Sequence, residues 1–231
     1  MLYHQLIECV LRERIIDTMD EAELNRWFDN NRIVLETAYL AGSQPWQQSG
    51  VGLRTPRTAQ DWEVLRRPIA DCISSSGTFL DIGCANGYLL ECVLRWTQER
   101  NLQITPYGLD FSEKLATLAR QRLPQYAGQI FVGNAWNWSP PQRFDYVNTT
   151  LDYIPASLHQ AFVQRLLEAY VLPGGYLLVA EYLGKHTASP ELKINEQLRQ
   201  WGFSVAMVKA SQLAHDPMGQ TRIAAIKNKW P

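Results

Sequence analysis

The first third of the chain carries apolar residues at helical spacing. Leu2 to Thr18 has apolar positions three and four residues apart, which predicts a helix. A second helix is predicted from Asp20 to about Leu40, because Asp20 and the glutamate three positions later have capping-box spacing. A third is predicted from Asp61 to Ser74. Between the last two lies a polar loop, Ala41 to Pro56, rich in glycine, serine, glutamine and proline.

From about Gly77 onward the pattern changes to short apolar runs that alternate with helical stretches. Predicted strands are Thr78–Ile82, Ile104–Leu109, Gln129–Val132, Tyr146–Asn148 and Tyr176–Ala180, and predicted helices lie near Tyr88–Glu99, Ser112–Arg122 and Ala156–Tyr170. This alternation predicts right-handed βαβ crossovers and a largely parallel sheet. After Pro190 we expect one more helix. Two closing strands, Phe203–Val208 and Arg222–Ile226, are expected to be joined by a loop containing Asp216-Pro217-Met218-Gly219.

Composition and charge narrow the range of partners and compartments. The 231 residues are enough for one good-sized core and too few for two ordinary domains. The net charge of -1 and the lack of long charged runs give no indication of a nucleic-acid or membrane partner. The four cysteines have neither C-x-x-C nor metal-ligand spacing, so we expect no metal site and reduced thiols in a cytoplasmic protein.

The most informative segment is a turn of small residues between a predicted strand and a predicted helix. This glycine turn reads Gly83-Cys84-Ala85-Asn86-Gly87 and follows the apolar strand that ends at Ile82. Small residues let a ligand approach the backbone closely, and the helix that follows offers free N–H groups. In an open parallel sheet, ligands bind at the carboxyl ends of the strands, near the point where the strand order reverses.

The ends of the next two predicted strands carry polar side chains that suit a nucleoside. Asp110 ends the second strand, where a carboxylate can accept two hydrogen bonds from a ribose diol. Asn134, Ala135 and Trp136 follow the third strand and suit adenine recognition by an amide, the backbone and an aromatic wall. A glycine turn, an acid and an amide in this order predict a nucleoside-binding site.

From Thr78 to Tyr182 the chain resembles the class I S-adenosylmethionine-dependent methyltransferases. Asp81 and the glycine turn match the first motif of that family, with Ala85 in place of its middle glycine. Asp110 matches the ribose-binding acid, and Asn134-Ala135 matches the adenine segment, where Asp-Ala is commoner. The segments from Phe144 to Pro155 and from Leu172 to Val179 match the fourth strand and the turn into the fifth.

The resemblance implies a Rossmann-like three-layer α/β fold with a seven-stranded, mostly parallel sheet whose last strand is antiparallel. Residues 77–231 would form the core, and residues 1–76 would add an N-terminal helical cap and a lid loop to the same domain. The donor would be S-adenosylmethionine, the product S-adenosylhomocysteine, and the acceptor a small molecule methylated on oxygen or nitrogen by a monomer or homodimer. The implied cofactor-binding residues are Asp81, Gly83, Cys84, Ala85, Gly87, Asp110, Phe111, Asn134, Ala135, Trp136 and Thr149.

The acceptor side is less defined. Asp152 and Tyr153 follow the fourth strand and are the candidate catalytic residues, to orient or deprotonate the acceptor, although a helix cap and a pocket wall explain them equally well. Glu181, Tyr182 and His186 follow the fifth strand and have similar placement. Arg54 or Arg57 in the polar loop is a candidate partner for the donor carboxylate, unless the loop is only a connector. Trp136 and Trp138 are expected in the pocket, and Trp62 and Trp96 in helix packing.

Two alternative functions share much of this pattern. A nicotinamide-dependent dehydrogenase would also have the strand, the turn and the ribose acid. Its fingerprint requires G-x-G-x-x-G, whereas Tyr88 follows Gly87 here. A non-catalytic S-adenosylmethionine-binding protein would carry every cofactor feature and lack only turnover.

Overall fold

Strands and helices alternate along the chain from Gly77 onward in the computed structural model, which describes residues 19–50, 58–183 and 192–229. The predicted helix Leu2–Thr18 lies outside these residues. The helices are α1 Glu21–Leu40, α2 Ala59–Asp71, α3 Tyr88–Gln98, α4 Glu113–Arg122, α5 His159–Ala169 and α6 Ile194–Gln200. The strands are β1 Gly77–Ile82, β2 Ile104–Asp110, β3 Ile130–Val132, β4 Phe144–Thr150, β5 Val171–Leu183, β6 Val205–Leu213 and β7 Asp216–Lys227.

These strands form one seven-stranded sheet in the order β3-β2-β1-β4-β5-β7-β6. β1 pairs in parallel with β2 and with β4, and β7 is antiparallel to both of its neighbours, β5 and β6. The predicted fold class, with its single antiparallel last strand, is confirmed. The strand order reverses between β1 and β4, so the carboxyl ends of β1 to β5 meet at one edge with a crevice between them.

Each face of the sheet is covered by helices, which gives three layers. On one face, Trp62 of α2 and Trp96 of α3 are buried against the sheet, as the sequence predicted for these two rings. On the other face, Phe28 of α1, Phe162 of α5 and Leu198 of α6 pack into a second apolar cluster. The strands are apolar on both faces, as is typical of a mostly parallel sheet.

Capping boxes start the two helices that precede the sheet. The Asp20 side chain accepts from the Glu23 backbone N–H at 2.7 Å, and Glu23 accepts in return from the backbone N–H of Asp20. Thr58 and Asp61 form the same reciprocal pair at the start of α2. α2 therefore begins before the predicted Asp61, since that aspartate is the third residue of the helix and closes its cap.

The predicted loop at Asp216–Gly219 is wrong. Asp216 begins β7 opposite Leu213, and Gln220 pairs with Gln212, so residues 217–219 form a bulge within the strand pair. A bulge accommodates Pro217, which has no N–H to donate, and its carbonyl accepts from the side chains of Gln212 and Gln220. The residues of this bulged strand have the composition that is typical of a turn, which is why the sequence predicted a loop.

Among the described residues, no helix is both long enough and apolar enough to cross a bilayer. The same residues contain no cluster of three or more His, Cys, Asp or Glu side chains with metal-binding geometry.

Candidate active site

An open cavity lies between α1 and the carboxyl ends of β1, β2 and β3, and its empty space of about 600 Å³ includes open solvent. The structure brings six of the sequence-predicted residues to its wall: Gly83, Asp110, Phe111, Asn134, Ala135 and Tyr153. The cover comes from one face of α1, which contributes Phe28, Asn31, Arg32, Leu35, Glu36 and Tyr39.

The glycine turn needs its two glycines for different reasons. Gly83 and Gly87 have φ of 78° and 76°, in the left-handed region. A Cβ on Gly83 would overlap the ring of Tyr153, which lies directly against the Gly83 backbone. A Cβ on Gly87 would lie 3.1 Å from the Cα of Ala119 in α4. Gly83 therefore allows the Tyr153 ring to pack directly against the backbone of the turn, and Gly87 allows α3 and α4 to pack closely.

Ala85 takes the place of the middle glycine of the motif with a backbone φ of 47°. Its methyl group is 2% exposed and packs with Tyr39 of α1 and Leu115 of α4. The strain of a left-handed alanine is thus accompanied by an apolar contact between the glycine turn and the covering helix.

Asp110 is built into the turn as well as lining the cavity. One of its carboxylate oxygens accepts from the Ala85 N–H and the other from the Ser112 N–H, each at 2.8 Å. The residue is 8% exposed, and burial raises the pKa of the carboxyl to about 6. A carboxylate at the end of a strand is expected to be solvated when no ligand is bound, whereas this one is buried. A carboxylate can accept about four hydrogen bonds, so acceptor positions remain for a diol.

The segment after β3 is a tight turn around Asn134. The Asn134 side-chain oxygen accepts from the Trp136 N–H at 3.0 Å, and the Ala135 carbonyl accepts from the Tyr170 hydroxyl. Neither Trp136 nor Trp138 is among the described residues that line the cavity. The aromatic wall is formed by Phe111 and Phe28 instead.

Four of the predicted cofactor residues lie beneath the cavity rather than on its wall. Asp81 is 2% exposed and accepts from the Asn148 side-chain amide at 2.8 Å, and burial raises its pKa to about 7. Cys84, Gly87 and Thr149 are buried around the same turn. Of the residues in this turn, Gly83 is the one that lines the cavity.

The candidate catalytic residues occupy the far side of the glycine turn. The Asp152 N–H donates to the Thr150 hydroxyl, and the Asp152 carbonyl accepts from the Asn31 side chain of α1. Asp152 is solvent-accessible, yet desolvation by the surrounding protein raises the pKa of its carboxyl. Desolvation also raises the pKa of Tyr153 well above its usual value. Asp152 does not line the cavity, whereas the Tyr153 ring does.

The residues after β5 are engaged in other contacts. Glu181 pairs with Arg222 at 2.7 Å and accepts from the Ile194 N–H, so its carboxylate has structural partners. The Tyr182 ring lies beneath the guanidinium of Arg66, and desolvation raises its pKa to about 12. His186, Arg54 and Arg57 lie outside the described residues.

The sequence predicted a helical cap over the site, and the residues of α1 that line the cavity were not among the predicted site residues. Phe28, Arg32, Leu35 and Tyr39 recur at helical spacing, and this periodicity was available in the sequence. Glu36 is held at the cavity by the Ser112 hydroxyl at 2.6 Å and the Lys114 ammonium at 2.7 Å. A polar residue on the same helix face as Phe28 and Tyr39 was the signal for a site-facing helix.

The polar loop before α2 is tied to the glycine turn. The Asn86 side chain donates to the Pro45 carbonyl at 3.0 Å, and the Trp62 indole donates to the Ser49 carbonyl at 2.9 Å. The described part of the loop, residues 41–50, thus packs behind the turn.

Comparisons with known proteins identify the fold. No protein-family model and no curated relative matches the chain. Among solved structures, 1,6-didemethyltoxoflavin-N1-methyltransferase from Burkholderia thailandensis, with 1,6-didemethyltoxoflavin and S-adenosylhomocysteine bound, superposes with a TM-score of 0.63 at 16% identity, over 91% of this chain and 93% of that one. The chain has the class I methyltransferase fold.

Two further structures with this methyltransferase fold are similar over nearly the whole chain. Magnesium protoporphyrin IX methyltransferase from Synechocystis, with S-adenosylmethionine bound, has a TM-score of 0.55 at 18% identity and covers 94% of this chain and 99% of its own. The [4+2]-cyclase SpnF has a TM-score of 0.57 at 16% identity and the same coverage. Because a cyclase shares the fold, the reaction must be argued from the site.

Proposed function

We propose that this protein is an S-adenosylmethionine-dependent methyltransferase that acts on a small-molecule acceptor. The observation that carries this proposal is the meeting of Gly83, Asp110 and Asn134-Ala135 in one cavity, at the ends of three adjacent strands. Each feature alone is compatible with a structural role. Together they offer an adenine contact, a diol acceptor and a floor without a side chain, in the order in which a nucleoside with a thioether tail presents those groups.

The residues fit the parts of the donor without rearranging the strands. Asn134 and Ala135 would bind adenine, Asp110 the ribose hydroxyls, and the bare backbone of Gly83 would leave room for the sulfur end. A sulfonium donor supplies an already activated methyl group, so the protein mainly has to align it with the acceptor atom. The neighbouring Tyr153 ring would position the acceptor, and Asp152 would take a proton only where the acceptor must lose one.

Several observations support a small acceptor. The cavity is covered by a helix whose apolar side chains, Phe28, Leu35 and Tyr39, face inward. A net charge of -1 without a basic stripe gives no support for a nucleic-acid substrate. The two methyltransferases above are named for a toxoflavin precursor and a porphyrin, both small molecules. The buried free thiols of Cys72, Cys84 and Cys92 support a reducing compartment such as the cytoplasm.

Titration calorimetry tests the donor site directly. We expect S-adenosylmethionine and S-adenosylhomocysteine to bind with micromolar affinity, about -8 kcal/mol, and NADH to give no heat. Gly83→Ala should abolish binding, because its Cβ overlaps Tyr153. Gly128→Ala is the matched control, since a Cβ there meets nothing within 4 Å. Absence of heat with both adenosyl ligands, in protein shown to be folded by circular dichroism, would remove the proposal.

Turnover separates an enzyme from a binding protein. Protein incubated with S-adenosylmethionine labelled in its methyl group and a panel of phenols, amines and nitrogen heterocycles should transfer label to one class. Tight donor binding without transfer to any of them would favour the non-catalytic alternative.

A further inference from the structure

β6 forms one edge of the sheet, and its outer side is unpaired among the residues that the structure describes. The strand is the last in the strand order and pairs with β7. An edge strand presents a row of backbone N–H and C=O groups with which a further strand can pair. Proteins protect such edges by keeping them short or by placing charged residues or proline on them.

The two edges of this sheet differ in how far they are protected. β3, at the opposite edge, has only the residues Ile130–Val132. β6 extends over Val205–Leu213, with no proline and with Lys209 as its single charged residue. Its register with β7 is regular over residues 207–212 and shifts on either side of them. The edge at β6 is therefore long and regular enough to pair with another strand.

One face of β6 is exposed and mainly apolar. Val208, Ala210 and Gln212 alternate along the strand, so their side chains lie on the same face, and all three residues are exposed. The other face is covered by α2, where Met207 packs against the buried cluster that contains Trp62. The unpaired backbone groups of this edge thus lie beside short apolar side chains, which another strand can approach closely.

We propose that β6 pairs with β6 of a second copy of this chain, in antiparallel orientation, so that two sheets join into one. Opposed side chains of an antiparallel pair lie on the same face, so the two-fold axis passes through a residue and its own copy. An axis at Lys209 would place two ammonium groups opposite each other, which is destabilising. An axis at Val208 brings the two exposed valines together and places Lys209 opposite Met207 of the partner subunit. In this register the strand is complementary to itself.

This dimer leaves both candidate active sites accessible. β6 runs parallel to β5, because each of them is antiparallel to β7. The two-fold axis reverses this direction in the second copy, so the two cavities open at opposite ends of the joined sheet. No residue of β6 is among the described residues that line the cavity. Dimer formation should therefore leave the affinity for S-adenosylhomocysteine unchanged.

Sedimentation equilibrium from about 1 to 200 µM measures the association. One strand per chain buries less than the roughly 1,600 Å² of a standard interface, so we expect a dissociation constant in the micromolar range. Val208→Lys places two ammonium groups across the axis and should weaken the dimer at least about 10-fold. Val132→Lys is the matched control, because Val132 is 36% exposed on the opposite edge and Val208 is 39% exposed. Circular dichroism checks that both variants are folded.

A disulfide across the axis tests the register. Opposed residues of an antiparallel pair have Cα atoms about 4.5–5.5 Å apart, within the range that a disulfide spans. Val208→Cys should therefore give a cross-linked dimer on mild oxidation, whereas Val132→Cys and the wild type should not. The inference is overturned by a monomer at the highest concentration, which would leave the edge to a different chain, and equally by a dimer that Val208→Lys does not weaken. A dimer that binds neither adenosyl ligand would remove the proposed function alone.

Discussion

Asp110 combines a position on the cavity wall with a structural role. Its carboxylate ties the glycine turn to the start of α4 through the N–H groups of Ala85 and Ser112. A ribose diol would use the remaining lone pairs of the same two oxygens. The proposed ribose-binding residue therefore also holds the glycine turn in place.

For this reason, Asp110→Ala is expected to impair both binding and folding. Loss of charge-assisted hydrogen bonds to the ribose should weaken S-adenosylhomocysteine by about 2–3 kcal/mol. Leaving two backbone N–H groups without their acceptor should lower the free energy of unfolding by about 1–3 kcal/mol. Calorimetry and urea unfolding measure the two effects, with the exposed Asp29→Ala as control. A variant as stable as wild type would show that the two N–H groups find other acceptors.

Buried Asp81 makes stability depend on pH. Burial raises its pKa to about 7 in the folded chain, against a usual value of 3.8. Between these pH values the unfolded chain releases a proton that the folded chain keeps, so this group lowers stability as pH rises from about 4 to 7. Asp110, raised to about 6, acts in the same direction.

The free energy of urea unfolding should therefore be lower at pH 8 than at pH 5.5. In Asp81→Asn, which keeps an acceptor for Asn148, the difference between the two pH values should shrink. Asp29→Asn should follow the wild type. Parallel profiles for Asp81→Asn and wild type would contradict a raised pKa at this carboxyl.

Sequence reasoning found the residues whose roles depend on local spacing and missed those placed by tertiary packing. Gly83, Asp110 and Asn134 follow strands at recognisable positions, so the pattern located them. Glu36 reaches the cavity only because α1 packs over it, and the register between distant segments cannot be read from either segment alone. Motif spacing predicted residues that the structure brings to one cavity, and the side chains of the predicted helical cap were identified only in the structure.

At the level of elements, the helix α1 covers the cavity and makes few side-chain hydrogen bonds to the other described elements. Among the described residues, its side-chain hydrogen bonds to other elements are those of Asn31 to Asp152 and of Glu36 to Ser112 and Lys114, and Arg32 lies over the Phe111 ring. Its apolar side chains Phe28 and Tyr39 face the cavity. A helix attached in this way can open by breaking a small number of contacts, as donor exchange requires.

Glu36→Ala should loosen this helix selectively. Losing the charge-assisted bond from Ser112 and the exposed pair with Lys114 should lower the local opening free energy by about 1–2 kcal/mol, which is roughly a factor of 5–30. Amide hydrogen exchange of residues 21–40 should accelerate accordingly and slow again with S-adenosylhomocysteine. Glu21→Ala, on the exposed first turn, is the control. Unchanged exchange in α1 would show that apolar packing alone holds the helix.

Element boundaries were predicted less well than element types. The capping box at Asp20 gave the start of α1, because a cap is a local hydrogen-bond pattern. β4 and β5 extend beyond the predicted residues, since their ends are defined by pairing with neighbours. The bulge at residues 217–219 has the composition of a turn, and only the partner strand distinguishes the two.

For the whole molecule, we predict that the segment before the sheet shares the domain of the core. α2 packs across β6 and β7 on the face where Trp62 and Trp96 are buried, so the N-terminal segment completes a layer. A helix of this kind would expose a large apolar surface if it unfolded separately.

Unfolding should therefore be one cooperative transition. Tryptophan fluorescence and far-ultraviolet circular dichroism should give the same urea midpoint. S-adenosylhomocysteine at about 100 times its Kd should add about 2.7 kcal/mol, which raises Tm by roughly 5–10 °C for a chain of this length. Two separated midpoints would show that residues 19–76 form an independent unit.

The backbone and the contacts of Ala85 restrict which residues can replace it during evolution. The left-handed backbone excludes β-branched side chains, and the contact with Tyr39 and Leu115 leaves no water for a polar one. Glycine and alanine are then the two residues that position 85 accepts, and a single nucleotide change exchanges them. Alanine adds a methyl contact with the covering helix α1, and glycine removes the strain of the left-handed backbone. An exchange between the two therefore changes how strongly α1 is held while the side chains that line the cavity stay the same.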